Sequence, residues 1–156
     1  MEFGWINLFG AGIVVLILIP HIIYAVRQKQ DEAQAKIPKY LSVCEQVGRY
    51  GCIVLMWLPL LVWKFGFGSA EELLIYLIAN GILILSYYLF LAQYSRKKTL
   101  SKAMVLAIIP TLIFILSGIL LRHWLLMIAA LLFGFAHCRI TYITHKEERS
   151  PICLAK

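Results

Sequence analysis

The sequence predicts an all-α integral membrane helical bundle with five transmembrane helices, its N-terminus outside and its C-terminus cytoplasmic. Three observations predict it. Hydrophobic residues make up 62% of the 156-residue chain and charged residues 15%, giving a mean hydropathy of +0.82. A soluble domain is closer to half apolar and a quarter charged, and a chain this short leaves too much surface wet to hide the excess. Apolar runs recur five times, most of them close to the roughly 20 residues that cross about 30 Å of hydrocarbon. The basic residues lie between those runs rather than on one patch.

The first run spans residues 5–26. It does not read as a signal peptide, because Glu2 precedes it and no small-x-small cleavage site lies before Arg27. The second, 50–65, is the shortest. It is introduced by residues 38–49, where Tyr40, Leu41, Cys44 and Val47 recur at three- and four-residue steps against Lys39, Ser42, Gln46 and Arg49. That periodicity predicts an amphipathic helix that lies in the membrane interface or forms the wet start of the second run, with Pro38 suited to its first turn. Glu45 and Arg49 stand one turn apart and can pair. Gly48 and Gly51 predict a bend or a close backbone approach.

The third run spans 73–92, the fourth 103–121 and the fifth 124–143. A single helix over the last two would be about 60 Å long at 1.5 Å per residue, too long for one bilayer. The break is expected at Ser117-Gly118 or Arg122-His123. Together these elements make one transmembrane domain over residues 1–156.

Orientation follows from the cations. Of the 15 Lys and Arg residues, all but Lys64 and Arg122 fall at one face of a five-span bundle, apart from none at the N-terminal segment. Lys and Arg accumulate on the cytoplasmic side, which places the chain in a cell membrane as a multi-pass protein. The net charge of +7 is accordingly assigned to topology and to anionic headgroups of the lipid bilayer, not to nucleic acid. Cys44, Cys52, Cys138 and Cys153 fall at or near that reducing face, so no structural disulfide is expected. No CxxC or paired Cys/His spacing predicts a metal site.

The segments Ile19-Pro-His-Ile-Ile-Tyr24 and Glu45-Gln-Val-Gly-Arg-Tyr-Gly-Cys52 resemble small, uncharacterised bacterial polytopic membrane proteins. The resemblance covers the first two spans and implies a bacterial cytoplasmic membrane location. It implies no activity.

Polar residues inside spans face the bundle interior. Tyr76, Asn80, Tyr87 and Tyr94 share one side of the third run. Ala130, Gly134, His137, Thr141 and His145 do so on the fifth, and Asn7, Ala11, His21 and Ala25 on the first. The Ala130/Gly134 pair favours close helix contact, and Pro20 frees a carbonyl in the first helix. The candidate ligand-binding residues are therefore His21, Glu45, Arg49, Asn80, Tyr87, His137 and Thr141, gathered in a vestibule open to the cytoplasm. No catalytic residue and no cofactor is assigned, because HExxH, GxSxG, P-loop and dinucleotide motifs are missing and every carboxylate lies in ends, loops or rims. The best reading is a binding or accessory bundle that packs on itself or on another membrane protein. The alternatives are a transporter or channel subunit for a small solute, and a lipid-headgroup-modifying enzyme built on Glu45, Arg49, His137 and Arg139.

Overall fold

In the computed structural model, residues 7–28, 37–58, 60 and 67–153 are described, with side chains for 7–20, 37–58, 60 and 67–146. They form five helices: α1 Leu8–Gln28, α2 Lys39–Trp57, α3 Ala70–Arg96, α4 Leu100–Leu120 and α5 Trp124–Cys153. Two capping side chains set their starts. Asn7 accepts from the Gly10 N–H at 3.1 Å, and Ser69 accepts from the Glu72 N–H at 3.2 Å; each satisfies a donor the first turn leaves without a helical partner. Ser69-x-x-Glu72 is a sequence signal for a helix start, and it moves α3 three residues ahead of the expected run.

The helices close a ring in the spatial order α1, α2, α5, α4, α3, with the longest packing seams along α2–α5 and α4–α5. Neighbours in the chain run antiparallel. The Asn7 N–H bonds the Trp57 carbonyl at 3.0 Å, joining the start of α1 to the end of α2. Lys102 Nζ bonds the Gln93 carbonyl at 3.2 Å, joining α3 to α4. The break between the last two helices falls at Leu121–His123. Arg122 has a positive φ of 55° there, and the His123 N–H closes the turn on the Gly118 carbonyl at 2.8 Å. The bundle thus has a hairpin end, carrying Asn7, Phe67 and His123, and a basic end, carrying Lys39, Arg96, Lys102 and Lys146.

The distribution of polarity is the reverse of a soluble protein's. Leu74, Ile75, Ile78, Ile82, Leu85 and Leu89 of α3 are exposed, while Tyr76, Asn80 and Tyr87 are buried. On α5, Ile128, Leu131 and Phe135 face outward while Ala130, Phe133 and Ala136 face inward. An apolar exterior wrapped around polar side chains is what a helical bundle adopts when its solvent is lipid.

Three helical stretches, not five, are long and apolar enough among the described residues to cross a membrane: Ala70–Arg96, Leu100–Leu120 and Trp124–Lys146. α1 contributes a shorter apolar stretch, Leu8–Pro20, because the side chains beyond it lie outside the described residues. α2 falls short because Lys39, Glu45 and Arg49 are built into it. One unbroken helix runs from Lys39 to Trp57, joining the 38–49 stretch to the start of the second run, and residues 59 and 61–66 lie outside the described residues. Of the two glycines, Gly48 gives the close backbone approach. A Cβ at Gly48 would stand 2.7 Å from the Phe133 backbone N. The two backbones cross in contact there.

Leu41, Glu45, Gly48, Cys52 and Met56 are the buried stripe of α2, whereas Tyr40, Val43, Val47, Tyr50 and Val54 are exposed. The apolar side that periodicity picks out is divided, with Leu41 inward and Tyr40 and Val47 outward.

Gly134 is likewise committed within the chain. A Cβ there would run into the Thr111 side chain, so Gly134 seats α4. The carbonyl freed by Pro20 belongs to Leu16, one turn earlier, and the Tyr88 hydroxyl donates to it at 2.8 Å. This ties α3 to α1 and satisfies a group that hydrocarbon would leave unpaired.

Candidate functional site: a buried charged cluster and a neutral one

Glu45 is 7% exposed in the middle of the inner stripe of α2. One turn later Arg49 folds back and ion-pairs with its Oε1. From the facing helix, His137 Nδ1 lies 3.2 Å from the same oxygen. Two ionisable groups therefore converge on one carboxylate, about 10 to 14 Å inside the basic end at 1.5 Å per residue. The sequence reading kept every carboxylate at a rim. The α2–α5 crossing brings this one alongside the middle of the fifth helix.

The local geometry explains the convergence. Gly48 lets α2 lie against the backbone of Phe133, and one turn on from each contact point Glu45 and His137 meet. The Phe133 ring stacks on the His137 imidazole with centroids 5.0 Å apart and planes 19° off parallel. Phe133 also meets Phe114 of α4 edge-on at 5.9 Å. The imidazole is thus held in place between an aromatic face and a carboxylate. Thr141 returns its hydroxyl to the His137 carbonyl at 2.8 Å, so it braces α5 below the histidine. A turn further on, Tyr94 of α3 and His145 share a hydrogen bond of 3.0 Å at the mouth of the basic end.

A charged group within an apolar bundle needs partners, since an isolated ion there costs several kcal/mol. Glu45 has two, and Arg49 remains 38% exposed while bound to it. The planar donors of the guanidinium suit a carboxylate or a phosphate. Among the described residues no group of three His, Cys, Asp or Glu side chains is placed to hold a metal ion. Cys44, Cys52 and Cys138 are free thiols.

The structure splits the predicted vestibule. Glu45, Arg49, His137 and Thr141 come together. Asn80 does not join them: it sits one turn from Tyr76 and donates Nδ2 to the Tyr76 carbonyl at 2.9 Å, on the side of the hairpin end. Tyr87 is buried against Tyr88, edge-on at 6.0 Å. The side chain of His21 lies outside the described residues. Arg139 is exposed and forms no ion pair with Glu45 among the described residues.

The residue pattern puts Asn7, Tyr76 and Asn80 on inward sides of separate helices but does not join them with Ser117 and His123 into a group at the hairpin end. Asn7, Tyr76, Asn80, Ser117 and His123 are all buried there. Burial holds the His123 imidazole below its ordinary range and favours its neutral form. Ser117 and His123 had been seen only as places to break a helix. Between the two groups lies an apolar layer that includes Cys52, Ile113, Ala130 and Phe133.

No protein-family model, characterised protein or solved structure matches this chain. The molecule's chemistry has to be read from its own side chains.

Proposed function

We infer that the chain is a membrane-embedded binding or accessory bundle whose charged cluster takes an anionic group, such as a phospholipid headgroup, from the side of the basic end. The observation that carries this reading is the buried carboxylate of Glu45 bridging Arg49 and His137. Glu45 holds the guanidinium at the bundle wall, and Arg49 keeps donors free for a second acceptor. The exposed apolar side chains of α2 suit acyl chains. Lys39, Arg96, Lys97, Lys98 and Lys102 around the same end add an attractive potential. In this reading all five helices cross the membrane, α2 shielded by α5, with the basic end cytoplasmic and the chain in the cytoplasmic membrane of a bacterium.

The test is retention of lipid by the detergent-purified protein in native mass spectrometry. Phosphatidylglycerol should be held over phosphatidylcholine, and Arg49→Gln should lower its retention severalfold. Equal retention of both lipids, or of phosphatidylglycerol by the variant, overturns the reading.

A second reading, a proton-coupled carrier for a small solute, draws on the same Glu45–His137 contact, since ionisable pairs inside a membrane mark proton pathways. It requires pH-driven solute uptake into proteoliposomes that Glu45→Gln abolishes. Unchanged uptake by that variant removes it.

A further inference from the structure

The hairpin-end group has more polar atoms than the protein itself can use. Asn7 comes from the start of α1, Tyr76 and Asn80 from α3, and Ser117 from the end of α4; all four are at most 1% exposed. The Tyr76 hydroxyl is directed toward Ser117 and Asn7. Yet Asn7 Nδ2, Tyr76 Oη, Asn80 Oδ1 and Ser117 Oγ each lack a protein partner at hydrogen-bonding geometry. Among the described residues, Tyr76 thus lies near Ser117 and Asn7 without a bond of full geometry to either. A buried polar atom left unpaired costs about 1–3 kcal/mol, so four in one corner of a bundle are a large burden unless something joins them.

None of the four side chains carries a charge to balance an ion, and the Phe67 ring lies against Tyr76 at 5.0 Å. Gly10 packs closely against Asn7 and α2: a Cβ there would stand 2.7 Å from Asn7 Nδ2 and 2.6 Å from the Met56 carbonyl oxygen. The amide of Asn7 can only donate through Nδ2, Asn80 Oδ1 can only accept, and the two hydroxyls can do either. A hydroxyl group, which both donates and accepts, fits that set, and a buried water typically makes about three such bonds.

We propose that Asn7, Tyr76, Asn80 and Ser117 form a binding site for a small uncharged hydroxylic molecule, either water or a small polyol, enclosed beneath the hairpin end. The site is independent of the charged cluster and of any lipid bound there. It bonds its occupant through neutral donors and acceptors only.

X-ray hydroxyl-radical footprinting of the full-length protein tests the proposal, with the protein purified in a detergent lacking hydroxyl groups and without polyols. In this polyol-free sample, water held at the site is split to a hydroxyl radical next to Tyr76, whereas a bound polyol would quench it. Tyr76 is therefore oxidised at a rate near that of exposed Tyr40 and at least several times faster than buried Tyr87. If Tyr76 is as slow as Tyr87, the proposal is overturned. Added glycerol distinguishes the sources. A fall in Tyr76 oxidation relative to Tyr40 assigns a polyol, and an unchanged ratio assigns water. Thermal unfolding gives the second readout. Tyr76→Phe and Ser117→Ala each lower the midpoint of a filled site, and the double variant loses less than the two together. If both variants are as stable as the parent or more so, the atoms have no occupant and the proposal fails. Should a variant not fold, the footprint of the parent protein decides.

Discussion

The two polar groups of this bundle differ in kind. Near the basic end, Glu45, Arg49 and His137 are charged or chargeable, drawn from two helices, and bonded to one another. Near the hairpin end, Asn7, Tyr76, Asn80 and Ser117 are neutral, drawn from three elements, and each keeps a buried side-chain atom without a hydrogen-bond partner among the described residues. The difference teaches how a lipid-facing bundle can carry polar groups. A charge has to be neutralised by the protein itself, because its uncompensated burial costs several kcal/mol. Neutral groups can be left open to a small occupant, because each unmet bond costs less. The charged group is therefore the more self-sufficient, and breaking it should damage the fold more.

The largest effect is expected from Gly48→Leu. The new side chain would start 2.7 Å from the Phe133 backbone, so α2 must separate from α5 and Glu45 from His137. A loss of about 3 kcal/mol or more is expected, read as a lower unfolding midpoint and as premature proteolysis of α2. A variant as stable as the parent would show that the helix crossing does not hold the charged group together.

Next comes Glu45→Gln, which keeps the shape but removes the charge that Arg49 and His137 share. A loss of about 1.5–3 kcal/mol is expected from hydrogen bonds to a charged group, and the midpoint should become less sensitive to salt. If the loss is smaller than that for Tyr76→Phe, the ordering of the two groups is reversed.

Tyr88→Phe lies between the groups. It strands the Leu16 carbonyl that Pro20 leaves without its helical donor, at a cost of about 1 kcal/mol or somewhat more. Restoring the helical donor by Pro20→Ala should cancel most of that loss in the double variant, which a pair of thermal melts can check.

A smaller effect concerns pH. His123 has its folded pKa depressed by burial, so the unfolded chain binds its proton first. The contribution of the neutral imidazole is fully present above the unfolded value of about 6.5 and is lost as pH falls from there through the folded pKa. The unfolding midpoint should fall on acidification below about pH 6.5, and His123→Phe should reduce the slope. A slope unchanged in that variant assigns the acid sensitivity to other groups.

The smallest change is expected from Gly81→Ala. Nothing lies within 4 Å of its Cβ position, so the substitution gains helix propensity of up to about 1 kcal/mol and meets no neighbour. Destabilisation there would mean that a partner covers the outer face of α3.

Particular residues show what was legible in the chain. Tyr76, Asn80 and Tyr87 share a side of a helix by their spacing alone, and all three are buried. Glu45 and Arg49 pair as their four-residue separation requires. The turn at Arg122-His123 follows from the length of the apolar stretch around it. In contrast, periodicity groups Tyr40, Leu41 and Val47 on one side without saying which way it faces, and Leu41 is buried while Tyr40 and Val47 are exposed. In water the apolar side of a helix identifies its inner side; in lipid the outer side is apolar too, so the rule loses its sign. The split of the vestibule was equally illegible. Nothing local to Asn80 says whether it meets His137 across the bundle or Ser117 at the other end.

The sequence by itself determined the solvent and the helices. Hydropathy is a sum over residues, and helix periodicity and capping act within a few residues, so neither needs a partner element. Tertiary structure alone decided which stripe of α2 turned inward and which polar groups met. Those outcomes depend on how closely Gly48 lets two backbones approach, and on the closure of five helices into a ring. Both are contacts between residues far apart in the chain, whose energies exist only once the helices are packed.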